Sequence, residues 1–227
     1  MTQEILRTLR KLGNKENRAG MARFGITTEN AYGISIPTLR RLAKKIGTNH
    51  RVALQLWKSP IHEAKLLAVF IDDPAEITER QMDRWVRDFD SWDVCDQCCG
   101  FLFDKTPYAY KKAIQWSKRR EEFVKRAGFT LMASLSVHDK NAKNEMFLKF
   151  LPRIRMESGD ERNFVRKGVN WALRQIGKRN APLNAAAVKT GRRISRINSR
   201  SARWIAADAL RELTGAKLRK RLKIANH

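Results

Sequence analysis

The stretches FVKRAGFTLMASL at residues 123–135 and FVRKGVNWALRQI at residues 164–176 match each other with an offset of 41 residues. In both, Phe and Val are followed by a basic pair and then by small residues. A second match, ALRQI at 172–176 with ALREL at 209–213, has an offset of 37 residues. Such offsets are typical of paired helices of the HEAT and armadillo type, in which each unit buries its apolar face only by stacking on the next. The alternative is that unrelated amphipathic helices look alike.

Apolar residues recur at intervals of three and four along most of the chain, as in Ile36, Leu39 and Leu42, whereas strict alternation is scarce. This spacing predicts an all-α protein of about a dozen helices, each of about 10 to 18 residues, joined by short loops. Together with the repeats, it predicts an α-α superhelix, that is, a solenoid of HEAT-like helical repeats with a concave basic groove.

The chain is strongly basic, with 47 Lys and Arg against 23 Asp and Glu and a net charge of +24. Self-repulsion of this size destabilises a compact protein unless an anionic partner relieves it. Nucleic acid is the polyanion that fits best, because a protein that neutralises phosphates releases counterions. An anionic membrane surface and an acidic protein are the alternatives.

Basic doublets recur along the whole chain, so we expect a groove that holds duplex DNA by its backbone. Any single doublet is more typical of a solvated helix face than of a DNA contact, and the prediction therefore depends on their number. The candidate DNA-binding residues are Arg40, Arg41, Lys44, Lys125, Arg166, Lys167, Arg174, Lys178 and Arg179.

The length of 227 residues, 42% of them hydrophobic, is enough for a substantial core. We expect a single domain over residues 1–227 with a basic C-terminal extension at about 215–227. The N-terminal MTQEILRTLRKL lacks the continuous apolar run of a signal peptide, and no stretch approaches the roughly 20 apolar residues of a membrane span. We therefore expect a cytoplasmic protein, a monomer, with no membrane partner.

The three cysteines, Cys95, Cys98 and Cys99, lie within five residues of one another. An odd number in one short segment argues against a disulfide framework and fits a reducing compartment. A lone C-x-x-C pair is a weak zinc signal, because a structural zinc site needs four ligands. We expect these thiols to pack in a helix interior, and we expect no metal and no cofactor.

The same segment, DSWDVCDQCC at residues 90–99, concentrates acidic residues in a basic chain. If it is helical, Trp92 and Asp96 stand four residues apart and share a face. A carboxylate that faces phosphates experiences Coulomb repulsion, so its presence there needs a reason. Either Asp96 has a chemical role, or Trp92 belongs to the core and Asp96 pairs with a neighbouring Arg.

Six motifs between residues 21 and 174 are similar to those of one known family, and the resemblance spans residues 16 to about 214. They are MARFGI at 21–26, YGISIPTLRRLAK at 32–44, HEAKLLA at 62–68, SWDVCD at 91–96, FVKRA at 123–127 and FVRKGVNWALR at 164–174. Together they resemble the AlkD-type DNA alkylation repair family, a superfamily of HEAT-like-repeat DNA glycosylases. SWDxxD and the FVxKxxxWALR helix are the most specific parts of this resemblance.

The resemblance implies four site residues by motif. Trp92 of SWDxxD and Trp171 of WALR are implied to be aromatic walls against the sugar-phosphate backbone at the lesion. Asp96 is implied to be the catalytic carboxylate, and Arg126 of FVKRA its cationic partner. At Phe24 some members have Tyr, so one hydroxyl contact with DNA is in doubt.

The resemblance also implies an activity: a monofunctional DNA glycosylase of base excision repair, which releases N3- or N7-alkylated purines from duplex DNA without flipping the base. The residue types agree with this chemistry. An alkylated purine is cationic and leaves through a sugar with oxocarbenium character, which a carboxylate stabilises. Two alternatives stay open: a non-catalytic repeat protein that binds distorted or branched DNA, and a protein-interaction scaffold, against which the charge of +24 argues.

The other aromatic and titratable residues are predicted to be structural. We expect four tryptophans in the core of the repeats: Trp57, Trp85, Trp116 and Trp204. His62 and Glu63 could resemble a catalytic pair, but we expect them on a helix surface or at the edge of the groove.

Overall fold

The computed structural model describes residues 1–224, and these contain fifteen α-helices and no β-strand. The chain divides into two compact units, Met1–Thr106 (unit 1) and the residues from Pro107 onward (unit 2). The prediction of an all-α protein is confirmed. The single domain over residues 1–227 stays a prediction, and residues 225–227 of the expected C-terminal extension lie outside the described residues.

Unit 1 contains the first seven α-helices. They are α1 (Thr2–Lys11), α2 (Lys15–Arg23), α3 (Ile36–Ile46), α4 (His50–Trp57), α5 (His62–Ile71), α6 (Glu79–Trp85) and α7 (Trp92–Gln97). A 3₁₀ turn, Val86–Asp88, follows α6. α7 continues directly into a π-helical turn, Cys98–Leu102, and then into a 3₁₀ turn, Phe103–Lys105.

The central helix of unit 1 is α5, which packs against α1, α3, α4 and α7. Its sequence, HEAKLLAVFI, is apolar nearly all round after the first turn, and such helices are buried. The burial extends to the polar first turn, where His62 is 5% and Glu63 0% exposed. The expectation that these two residues lie on a helix surface or groove edge is therefore wrong.

Side-chain caps set where several helices of unit 1 begin. The side chains of Asn14, Ser35, Asn49 and Thr78 each accept a backbone N–H from the first turn of the helix that follows. Capping satisfies donors that have no partner within the helix. The cap residues therefore place the boundaries of α2, α3, α4 and α6.

Unit 2 contains the other eight α-helices of the described residues. They are α8 (Ala109–Trp116), α9 (Glu122–His138), α10 (Asn144–Leu148), α11 (Leu151–Glu157), α12 (Asn163–Gly177), α13 (Ala181–Ile194), α14 (Arg200–Leu213) and α15 (Ala216–Leu222). Some helices are shorter than predicted, such as α10 with 5 residues and α7 with 6. Within residues 1–224, no helix is both long and apolar enough to cross a bilayer.

The repeated sequence stretches form helices that pack on one another. α9, which carries the first stretch, packs along α12, which carries the second. The rings of Phe123 and Phe164, which occupy equivalent positions, have centroids 5.5 Å apart. α12 packs in turn on α14, which carries ALREL. The sequence matches therefore mark structural repeats.

Polar contacts also join each repeat to the next. Three of them link residues 38 positions apart: the Arg126 guanidinium to the Phe164 carbonyl, the Asn170 amide to the Asp208 carboxylate and the Arg174 guanidinium to the Glu212 carboxylate. A constant offset means that equivalent helix turns lie side by side. These contacts therefore fix the register in which the repeats stack.

Gly128 on α9 is needed for the close approach of α8. A Cβ at this position would lie 2.3 Å from Ser117 N and 2.9 Å from Ala113 O, which are backbone atoms. We expect Gly128→Ala to lower the free energy of unfolding by about 1–3 kcal/mol, because α8 would have to move away from α9. Urea denaturation followed by circular dichroism measures this.

Gly168 on α12 provides a matched control. A Cβ there would make only ordinary contacts, 3.5 Å from the Phe129 Cβ and 3.6 Å from the Arg126 Cγ. We expect Gly168→Ala to keep or raise the free energy of unfolding, because Ala has the higher helix propensity. Equal destabilisation by the two substitutions would contradict this account of α8–α9 packing.

Candidate nucleic-acid interface

Trp92 is the first residue of α7, and its indole is tied to the end of α2. The indole Nε1–H donates to the carbonyl oxygen of Phe24 at 2.9 Å. Trp92 is half-buried, so part of the ring is accessible, and Phe24 itself is 71% exposed. Two accessible aromatic side chains therefore belong to this part of unit 1.

Asp96 lies one turn beyond Trp92 and is also half-buried. Residues four apart share a helix face, so the expected pairing of an aromatic ring with a carboxylate on one face of α7 is present. The π-helical turn begins at Cys98, two residues later. Such turns are rare and occur frequently at functional sites.

The three cysteines line the interior of this helical segment. All three are fully buried, and none of them forms a disulfide. Burial raises the pKa of the Cys98 and Cys99 thiols well above the usual range, so both are neutral. The expectation of thiols packed in a helix interior is confirmed. Within residues 1–224, no group of three or more His, Cys, Asp or Glu side chains could hold a metal ion.

Helix α3 brings exposed cations close to the end of α7. The Arg40 guanidinium donates to the Gln97 side chain at 3.2 Å and lies 5.5 Å and 5.6 Å from the ring centroids of Phe70 and Phe101. Arg41 and Lys44 are exposed on the same helix. Three of the predicted DNA-binding residues thus project from α3.

Buried polar residues hold α7 in place from α5. His62 Nε2 lies 2.8 Å from an Asp93 carboxylate oxygen, and the other oxygen of Asp93 accepts from the Ser91 hydroxyl at 2.7 Å. Burial alone would lower the pKa of His62, but the carboxylates of Asp93, Glu63 and Asp90 together outweigh it and raise that pKa. Burial alone would raise the pKa of Asp93, but His62 and the hydrogen bonds from Ser91 and the Val94 backbone together outweigh it and lower that pKa. Both shifts favour the charged forms of the pair.

Sequence reasoning did not predict that His62 on α5 holds α7 through Asp93. The continuous apolar run LLAVFI at residues 66–71, which follows Glu63 after two residues, was the available signal, because it predicts a helix with no solvent-facing side. The partners of both residues are distant in sequence, which pattern alone does not reveal.

In unit 2, Arg126 lies in the interface between α9 and α12. It is 5% exposed, and its Nη1 donates to the Phe164 carbonyl at 2.7 Å. A Cβ at Gly168 would lie 3.6 Å from the Arg126 Cγ. Phe164, Gly168 and Trp171 share one face of α12. Trp171, which is half-buried, therefore lies one turn beyond the Arg126 contact.

Lys125, a predicted DNA-binding residue, is held by carboxylates. Its ammonium lies 2.6 Å from Glu157 and 3.1 Å from Asp160. Burial alone would raise the pKa of Asp160, but hydrogen bonds from Arg162 and Lys125 outweigh it and lower the pKa to about 2. Lys125 thus neutralises buried negative charge within the protein.

Arg174 and Lys178 are engaged in the same way. Each lies 2.9 Å from a different oxygen of the Glu212 carboxylate. Burial alone would raise the pKa of Glu212, but these two cations outweigh it and lower that pKa. Both residues join α12 to α14.

Arg179 caps the end of α9 and the turn after it. Its guanidinium donates to the carbonyl oxygens of Ser136, Lys140 and Ala142, each at 3.1 Å. It also lies 4.4 Å from the ring centroid of Phe147. Its donors therefore satisfy carbonyls that a helix end leaves without intrahelical partners.

Arg166 and Lys167 lie on the more accessible side of α12. Lys167 is exposed, and the half-buried Arg166 stacks 4.9 Å from the ring centroid of Trp204. Trp204 is 37% exposed, so the expectation that it belongs to the core is wrong; its ring lies against the charged Arg166 guanidinium rather than inside the apolar core. The other three tryptophans of that prediction, Trp57, Trp85 and Trp116, are buried as expected.

Solved structures similar to this chain share its helical-repeat fold. One belongs to "a new family of proteins related to the HEAT-like repeat DNA glycosylases with affinity for branched DNA structures": it is 20% identical, with 94% of this chain and 95% of that chain covered and a TM-score of 0.75. Another, smu.31 from Streptococcus mutans UA159, is 19% identical, with 92% and 96% covered and a TM-score of 0.56. The predicted HEAT-like repeat fold is confirmed. Curated protein sequences give no match.

A family model also matches nearly the whole chain. The model is described as "DNA alkylation repair enzyme" and covers residues 5–213. That range includes α7 with Trp92 and Asp96 as well as the α9 and α12 pair with Arg126 and Trp171. The resemblance inferred from the motifs is thereby confirmed, and the chain belongs to the DNA alkylation repair enzyme family.

Proposed function

We propose that the protein is a DNA glycosylase that hydrolyses the N-glycosidic bond of N3- or N7-alkylated purines in duplex DNA. The observation that carries the proposal is the half-buried carboxylate of Asp96, one turn from Trp92, in a protein with a net charge of +24. DNA binding alone disfavours a carboxylate near phosphates. A reaction that develops positive charge on the sugar favours one.

In the proposed reaction, the bond between C1′ and the cationic purine breaks, and the electron pair leaves with the base, which becomes neutral. Positive charge develops on the deoxyribose, where the Asp96 carboxylate stabilises it. Water then attacks C1′ and loses a proton to the carboxylate or to solvent, which leaves an abasic site. The accessible face of Trp92 packs against the sugar and attracts the developing cation.

We further propose that Trp171 contacts the DNA backbone from unit 2, with the buried Arg126 holding the preceding turn of α12, and that phosphates bind to the accessible cations of α3 and α12. These cations are Arg40, Arg41, Lys44, Arg166 and Lys167. Lys125, Arg174, Lys178 and Arg179, which are engaged within the protein, are not part of the proposed contact set. The concave basic groove stays a prediction.

A second candidate function is non-catalytic binding of branched DNA. The affinity for branched DNA structures stated for the similar solved protein favours it. The two candidates differ in whether a base is released. A single assay on lesion-bearing duplex and on a four-way junction therefore separates them.

Asp96→Asn tests the catalytic role of the carboxylate. We expect the single-turnover release of 7-methylguanine or 3-methyladenine from duplex DNA to fall about 100- to 1000-fold, because the charge that stabilises the transition state is lost. DNA affinity changes little. Glu76→Gln is the matched control: its exposed side chain also belongs to unit 1, it removes the same charge, and release should stay near the original rate.

Two results would contradict the proposal. If the unaltered protein binds DNA but releases neither base, the glycosylase assignment is wrong, and tight junction binding would then support the second candidate. If Asp96→Asn weakens DNA binding as much as it slows release, Asp96 is a structural residue.

The salt dependence of DNA affinity tests the proposed phosphate contacts. A lysine that neutralises one phosphate contributes about 0.9 to the slope of log K against log salt. We expect Lys167→Ala to reduce the slope by about this amount. Lys149→Ala, which removes an equally exposed cation from the end of α10, should leave the slope unchanged. Equal changes in both variants would mean that only net charge matters.

A further inference from the structure

The first turn of α5 places two titratable side chains, His62 and Glu63, in the interior of unit 1. Burying such groups costs free energy unless their polar atoms are paired, and apolar residues of similar size would avoid that cost. The partners of these two residues therefore indicate what they do. Those partners lie in the loop before α3 and at the start of α7.

Glu63 organises the loop at residues 32–34. Its Oε1 accepts the backbone N–H groups of Tyr32 at 3.0 Å, Gly33 at 2.6 Å and Ile34 at 3.2 Å, and its Oε2 accepts that of Tyr32 at 2.9 Å. Successive N–H groups that converge on one anion form a nest. The nest requires Gly33 in the left-handed region, at φ +79.

The loop in turn holds α2. The Tyr32 carbonyl accepts the Asn14 N–H at 2.8 Å, and a Cβ at Gly33 would lie 2.2 Å from the Asn14 carbonyl oxygen. α2 has no buried residue of its own, so its position depends on polar contacts: this one, and those of the Arg18 guanidinium with the Thr28 and Glu29 carbonyls. The residue that ends α2 is Phe24, whose carbonyl accepts the Trp92 indole N–H. Glu63 therefore acts on the indole of Trp92 through the loop and α2.

His62 reaches the same tryptophan from the other side. Its ring is hydrogen-bonded to the side chain of Asp93, the residue next to Trp92. Its backbone N–H donates to the Asn30 carbonyl at 2.9 Å. The chain between α2 and α3 is also joined to the residues just before α7, because the Thr27 hydroxyl donates to the Asp90 carbonyl at 3.3 Å. The contact between His62 and Asp93 thus fixes the backbone next to Trp92, and the Phe24 carbonyl fixes the Trp92 indole.

We propose that His62 and Glu63 are positioning residues that jointly set the orientation of Trp92. Neither touches DNA: His62 acts through Asp93, and Glu63 acts through the loop and α2. The effect on base release rests on the function proposed above, whereas the effect on the Trp92 indole does not.

The protonation of His62 makes this arrangement depend on pH. The charged groups around its ring are Asp93 on α7, Asp90 before it and Glu63 on α5 itself. Because the folded pKa of His62 is raised, its contribution to stability is fully present below the ordinary value of about 6.5. That contribution is lost as the pH rises through the raised folded pKa. We therefore expect the hold on α7 to weaken in the alkaline direction.

Nuclear magnetic resonance of the tryptophan indole groups tests the proposal without activity. Trp92→Phe identifies the Trp92 signal among the six tryptophans. We expect His62→Ala and Glu63→Gln to shift or broaden this signal. His50→Ala is the matched control, because it removes another His–Asp pair of unit 1, His50 Nδ1 to Asp72 at 2.6 Å, and should leave the Trp92 signal in place.

A pH titration covers the case in which His62→Ala does not fold. In the unaltered protein, the Trp92 signal should move in one step above about pH 6.5. His62→Gln, which retains a donor but carries no charge, should hold the signal near its high-pH position at every pH and abolish the step. A signal without such a step, or a step that persists in His62→Gln, would overturn the role of His62. A Trp92 signal unmoved in folded Glu63→Gln would overturn the role of Glu63.

Base release then measures the consequence. We expect His62→Ala and Glu63→Gln to slow the single-turnover release of 7-methylguanine about tenfold or more with little change in DNA affinity, and His50→Ala to release at the original rate. If the unaltered protein releases no base, the proposed function fails while the indole signals still decide the positioning role. If the indole signal moves but release does not change, the orientation of Trp92 has no part in the reaction and the proposal is overturned in that respect.

Discussion

A single pair of amphipathic helices cannot bury its apolar face by itself, and this constraint determines the rest of the structure. α9 meets that need by packing on α12, with Phe123 against Phe164. Arg126 lies in that interface and donates to the Phe164 carbonyl. The packing that stabilises two repeats therefore also orients a proposed site residue. The proposed interface and the hydrophobic core are consequently not separate parts of unit 2.

The large positive charge is not all available to a partner. Lys125 neutralises the Glu157 and Asp160 carboxylates, and Lys178 holds Glu212. These ion pairs are partly buried, where they are weakly screened and where removing one partner is costly. Cations of this kind join helices rather than attract DNA.

Periodicity and self-similarity predicted the helical class, the repeats and the buried thiols, because they report which face of a helix is covered. They did not predict the burial of the first turn of α5, because a glutamate such as Glu63 does not reveal from its residue type whether it is buried or exposed. Its acceptors are occupied by N–H groups about 30 residues earlier in the chain. They failed likewise for Trp204, which looks like a core residue by type but lies 37% exposed under the Arg166 guanidinium.

By itself, the sequence determined the repeat period, the family and the spacing that puts Trp92 and Asp96 on one helix face, because these depend on local order along the chain. Only the tertiary structure decided which basic residues are engaged within the protein, and that His62 and Glu63 support Trp92. These properties depend on contacts between distant segments. Whether a charge is buried, paired or accessible is decided by what packs around it, and that information is absent from any single stretch of the chain.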